Sequence, residues 1–162
     1  MLCRLCFVEI VVGSGSLRIQ DIEKLKLLIS PNFALINPQC VCGSLHLKQA
    51  AFLADKSHEG NYNLSKERST EVLLYLTFQR QISKAIQIGG IDVNTKSVAW
   101  VSFGEPPLEL SDMVDTDESI ISGNSFDYSN INLETSIVKN PSFEEKQKII
   151  MAKTATLSVQ SR

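Results

Sequence analysis

The sequence predicts an α/β (α+β) fold, a single domain spanning residues 1–162 in which a small mixed β-sheet is flanked by α-helices. Three observations carry this expectation. Apolar runs bounded by Gly, Ser or Pro recur at residues 2–12, 33–41 and 98–103, as buried strands require. Helical periodicity fills the intervals, so the order is strand, helix, strand, helix, helix, strand, the pattern of helices layered on a sheet. A chain of 162 residues, 43% hydrophobic and 21% charged, is long enough and apolar enough to bury one core.

The first strand is expected over residues 2–12, with Gly13-Ser-Gly-Ser16 as its punctuation. A short amphipathic helix follows, with Asp21 as N-cap, Glu23 near its positive end and Ile22, Leu25, Leu28 and Ile29 on one stripe. Ser30-Pro31 ends it. Phe33 to Val41 predicts a second strand, in which Pro38 marks an edge, a bulge or an interruption. From Ser44, a candidate cap, Leu45, Leu47, Ala50, Ala51, Phe52 and Ala54 form a helical face that Gly60-Asn61 closes. Its polar side carries His46, Lys48, Lys56 and His58. Residues 69–90 predict one helix, apolar on more than one side, closed by Gly89-Gly90. Val98 to Phe103 is the third strand. Residues 104–142 form an acidic, partly irregular segment, with room for a strand or a helix. A closing helix is expected from Phe143 to Ala152, capped by Ser142 with Glu144 and Glu145 in its first turn.

Composition narrows the function classes. The apolar stretch Leu5 to Val12 is broken by Glu9 and is far shorter than the roughly 20 residues of a membrane span. Neither a membrane helix nor a secretory leader is expected, and the chain is placed in the cytoplasm. The net charge of −2 is unevenly distributed. Residues 104–140 hold eight acids against one base, net −7, which leaves fifteen bases and ten acids elsewhere, net +5. A modestly positive body permits RNA contact without demanding it.

No catalytic constellation forms in the sequence. Cys3, Cys6, Cys40 and Cys42 make a Cys-x-x-Cys and a Cys-x-Cys, a metal or redox spacing. Both pairs fall in segments with strand character, where Cys3 and Cys6 would face opposite sides, so buried structural thiols are expected and no metal or cofactor. His46 and His58 belong to no nucleophile or metal pattern and are expected at the solvated surface. Gly13-Ser-Gly stops short of a dinucleotide fingerprint because position 18 is Arg, leaving a weak nucleotide signal. The acids of 104–140 lack the alternation of a calcium loop.

Gln79-Arg80-Gln81 stands out because burial cannot explain a polar step in an apolar helix. It is either an exposed turn or an anchor. Arginine's planar five-donor fork suits phosphate or carboxylate, and glutamine adds neutral donors and acceptors, so the step could hold RNA backbone or a partner's acidic group. Lys84 lies one turn on and extends the same face.

Two linked blocks resemble a known family. The first is Ala34-Leu-Ile-Asn-Pro-Gln-Cys-Val-Cys-Gly43 with Leu45-His-Leu-Lys-Gln-Ala-Ala-Phe-Leu-Ala54, and the more specific second is Ser69-Thr-Glu-Val-Leu-Leu-Tyr-Leu76, Arg80-Gln-Ile-Ser-Lys-Ala-Ile86 and Gly90-Ile91. A weaker match follows at Ile149 to Leu157. These are similar to the smallest regulatory subunit of the KEOPS complex, the CGI-type, PRPK-binding (TPRKB) family. Phe78 stands where many relatives carry a small residue, and Lys153 where they carry Arg. The resemblance implies a non-catalytic subunit of the machinery that installs threonylcarbamoyladenosine on tRNA. Its implied partners are the Bud-type/PRPK kinase-ATPase subunit, the tRNA 3′ CCA end and, indirectly, the other KEOPS subunits. On that reading Arg80, Gln81, Lys84 and Lys48 are the tRNA-contact candidates, and Tyr75, Phe78 and Ile82 the kinase-contact candidates. The alternative is a kinase-binding scaffold without RNA contact.

Overall fold

The computed structural model describes residues 8–123, 126–127 and 142–160. Ten elements follow in order: β1 (Ile10–Leu17), α1 (Ile22–Lys26), β2 (Phe33–Ile36), α2 (Ser44–Glu59), α3 (Arg68–Thr77), α4 (Ile82–Gly89), β3 (Ser97–Phe103), α5 (Leu110–Met113), β4 (Val114–Thr116) and α6 (Phe143–Gln160). The sheet order is β2-β3-β1-β4, and every described pairing is antiparallel. β1 and β2 therefore run the same way with β3 inserted between them, a split β-α-β arrangement. The α+β class holds, with a sheet that is antiparallel rather than mixed in strand direction.

Both faces of the sheet are covered, which explains why its strands lack polar alternation. Ala34, Ile36, Ala99 and Val101 pack on one side against Leu47, Ala50 and Ala51 of α2 and Val72, Leu74 and Leu76 of α3. On the other side Phe33, Leu35, Val98 and Trp100 meet Ile22 and Leu25 of α1 and Leu110 and Met113 of α5. Every residue of α3 from Glu71 to Thr77 is buried. The buried Glu71 carboxylate accepts from the backbone N–H of Leu64 at 3.1 Å and of Ser65 at 2.7 Å, and from the Ser57 hydroxyl at 3.1 Å, tying the α2–α3 loop down.

Local signals held where the chemistry is local. Asp21 caps α1 by accepting from Lys24 N–H at 3.0 Å. Pro38 interrupts the second strand, which ends at Ile36 and passes into a 3-10 turn over Pro38–Cys40 capped by Asn37. Ser142 and Glu145 form a reciprocal capping box at the start of α6. That helix runs eight residues past the expected Ala152, to Gln160.

Other expectations are corrected. β1 runs through the glycines expected to end it, whereas residues 2–7 of the predicted first strand lie outside the described residues. Gly13 sits opposite Trp100 in the β1–β3 register, where a Cβ would strike the indole, and Gly15 admits the backbone of Asp115. Close approach, not a turn, explains both. Gly43, at φ 89°, is the N-cap of α2, and Ser44 is its first residue. The single helix expected over 69–90 is two, α3 and α4, broken at Phe78.

Candidate interaction surface at the α3–α4 corner

The corner is made by Phe78 in the left-handed region, φ 57° and ψ 30°. Gln79 N–H reaches back to Leu74 O at 3.1 Å, a bond that satisfies one of the last carbonyls of α3. A non-glycine residue pays about 1 kcal/mol for that conformation, and its surroundings hold it there. The Phe78 ring stacks on His46, with centroids 6.1 Å apart and planes inclined by 16°, while Phe126 meets the same imidazole edge-on at 6.3 Å.

His46 is fully buried, not solvated as expected. Its Nδ1 accepts from Cys42 N–H at 3.1 Å, so Nε2 carries the proton and donates to Thr154 Oγ1 at 3.0 Å. Burial pushes its pKa down to about 4. His46 thus joins the start of α2, the α3–α4 corner and α6 through one neutral imidazole. His58 is half-buried, with its pKa lowered first by desolvation.

The corner turns Gln79, Arg80 and Gln81 outward, and the first turn of α4 adds Lys84; Arg80, Gln81 and Lys84 are exposed. Neither cation has an ion-pair partner among the described residues. Ala85 and Gly89 form the inner face of α4, where a Cβ on Gly89 would stand 3.0 Å from both Leu73 and Thr77. That close seating leaves Ile82 and Ile86, one turn apart, on the outer face at 39% and 50% exposure. Ile86 continues into an apolar groove of about 260 Å³ with Ile29, Leu35, Leu73 and Ile91.

The structure separates the candidates. Arg80, Gln81, Lys84 and Ile82 share the corner. Tyr75 does not: at 1% exposure it is a core residue of α3, so the expectation of a contact role for its side chain is corrected. Phe78 is half-buried and occupied with His46. Lys48 lines a different depression, of about 600 Å³, beside β1 and the start of α6, and none of the corner residues lines it. Sequence reasoning missed Ile86 and the structural role of His46. The spacing of Ile82 and Ile86 on a separate helix would have exposed the first, once the polar step is taken as a helix break.

The Cys40 and Cys42 side chains are buried as expected, though in a 3-10 turn and its exit rather than a strand. Cys40 Sγ–H donates to Ile88 O at 3.1 Å, and burial first, then the Asp127 charge, pushes its pKa up to about 12. Cys3 and Cys6 lie outside the described residues. Among the described residues no helix is long and apolar enough to cross a membrane.

A layered α+β domain that turns an apolar and cationic helix corner to solvent is a protein-binding module. Comparison with family models makes that class specific: residues 17–153 match the kinase binding protein CGI-121 family, and the chain belongs to it. The match runs from the last residue of β1 into α6, so it covers both sequence blocks that carried the resemblance. Comparison with curated proteins gives no match.

Proposed function

We propose that this protein is the non-catalytic regulatory subunit of a KEOPS-type tRNA threonylcarbamoyladenosine complex, acting in the cytoplasm. Its family is one of kinase-binding proteins, and the proposal makes the kinase the Bud-type/PRPK subunit. Ile82 and Ile86 supply desolvatable area for that partner, since apolar side chains held in water by a rigid helix favour burial against another surface. Arg80, Gln81 and Lys84 recruit tRNA through its 3′ CCA end, two exposed cations and an amide fitting phosphates and a base edge.

The observation that supports it most is the conjunction at one corner of exposed isoleucines and exposed cations in a chain of this family. Co-purification with the kinase subunit, followed by tRNA binding with and without the terminal CCA, tests it. Loss of tRNA binding on CCA removal and on Arg80→Glu is expected. Kinase binding with no tRNA affinity at low salt would leave the scaffold reading instead.

A further inference from the structure

The apolar groove beside α4 has a polar floor, the outer edge of β2. Phe103 N–H donates to Asn32 O at 2.8 Å, which sets the alternation along the strand. Ala34 and Ile36 bond to Val101 and Ala99 of β3, and the backbone groups of Phe33, Leu35 and Asn37 point outward from this edge of the sheet. The β1–β3 register gives the same phase: Gly104 N–H donates to Glu9 O, so Trp100 exchanges its backbone bonds with Gly13 and not with Leu35. Two of the three outward residues are satisfied from within the chain. Phe33 exchanges bonds with Ser30 at 3.1 and 3.2 Å, and Asn37 N–H donates to Gly89 O at 2.8 Å. Leu35 has no such partner among the described residues, for its N–H or for its C=O. At 2% exposure it is also hidden from solvent. A buried backbone donor and acceptor left unpaired together are rare in folded chains.

The walls around that pair are apolar. Ile29 lies beyond the end of α1, Leu73 and Ile86 come from α3 and α4, and Ile91 follows α4. Ile29 and Ile86 are 43% and 50% exposed. Lys26 is the only charged residue lining the groove among those described, and it is already paired with Glu23 at 3.2 Å, so the groove asks for no charge. A helix cannot serve the Leu35 pair, because its own backbone groups are bonded internally. An extended segment can, since one of its residues offers an N–H and a C=O on the same side. The open edge between Phe33 and Asn37 is about 13 Å long, four strand steps, enough for a short segment with one residue paired to Leu35. We propose that the kinase partner docks here by strand addition: an extended, uncharged segment of it runs along β2, one residue exchanges backbone hydrogen bonds with Leu35, and apolar side chains beside it fill the groove against Ile29, Leu73 and Ile86. This docking mode rests on the kinase-binding reading, whose Ile86 it shares, and adds the backbone chemistry by which the partner is held.

Amide hydrogen exchange, followed by NMR on the full chain alone and in complex with the Bud-type/PRPK kinase subunit, reads the Leu35 pair directly. In the free chain the Leu35 amide is expected to exchange faster than those of Ala34 and Ile36, which bond to β3. In the complex it is expected to slow by at least about tenfold relative to both. Ile29→Glu, at an exposed position, is expected to weaken kinase binding by about tenfold with an unchanged far-ultraviolet spectrum, since it sets a carboxylate against an apolar segment. Failure of the kinase to co-purify with the parent chain would overturn the kinase reading and this docking mode with it. A complex in which Leu35 exchanges as it does in the free chain, or an Ile29→Glu protein that binds like the parent, would overturn strand addition and leave the kinase reading standing. A Leu35 amide already as slow as its neighbours in the free chain would also overturn strand addition.

Discussion

Acidification should loosen this fold through His46. Burial holds its pKa at about 4, against 6.5 for the ordinary imidazole. The hydrogen bonds give the same direction, because protonating Nδ1 would set a donor against the Cys42 N–H that it now accepts from. The unfolded chain binds a proton at this position below pH 6.5, whereas the folded chain resists it down to about pH 4. The stability contributed by the neutral imidazole is thus whole above pH 6.5 and is lost progressively as pH falls toward 4, below which the loss is constant. Across that window one group amounts to about 3 kcal/mol, a large share of the ~5–15 kcal/mol that holds a domain of this size. Urea unfolding of the parent and of His46→Gln at a series of pH values measures it. His46→Gln is less stable at neutral pH and should lack this part of the pH dependence, the carboxylates and His58 contributing alike to both proteins. Parallel stability curves for the two between pH 6.5 and 4 would refute the assignment.

Three further outcomes are expected. Glu71→Ala should cost about 3 kcal/mol in urea unfolding, since it strips the Leu64 and Ser65 backbone N–H groups of their acceptor, while the Ser57 hydroxyl keeps Ala54 O at 2.8 Å; a loss under about 1 kcal/mol would mean that the loop re-pairs elsewhere. Phe78→Gly and Phe78→Ala both lose the stack on His46, but only glycine relieves the left-handed backbone, so the glycine variant should be the more stable by about 1 kcal/mol. Ile86→Glu should abolish kinase capture in a pull-down with thermal stability retained, because half of that side chain already faces water; undiminished capture would move the docking surface off α4.

The corner illustrates how far local reading reaches. Gln79-Arg80-Gln81 is polar because it is a corner, and its sequence marked the place without giving the conformation. Nothing in neighbouring residues makes Phe78 left-handed. The imidazole that holds it comes from α2, more than thirty positions earlier in the chain. His46 likewise carries the composition of a surface residue, and its burial follows from Cys42 N–H and Thr154 Oγ1 supplying both ring nitrogens from separate parts of the chain.

By itself the sequence determined the elements whose causes lie within one helical turn or one strand: the Asp21 cap, the Pro38 interruption, the capping box at Ser142, the apolar run of β3, and the two blocks through which the family is recognised. Hydrophobic period and capping chemistry act over a few residues, so they are written locally. Tertiary structure alone decided that glycines 13 and 15 belong inside a strand, that Tyr75 is core, that Lys48 and Arg80 serve different surfaces, and that one apolar stretch becomes two helices. Each of those depends on what approaches from a distant part of the chain, and packing in three dimensions leaves no periodic trace in one.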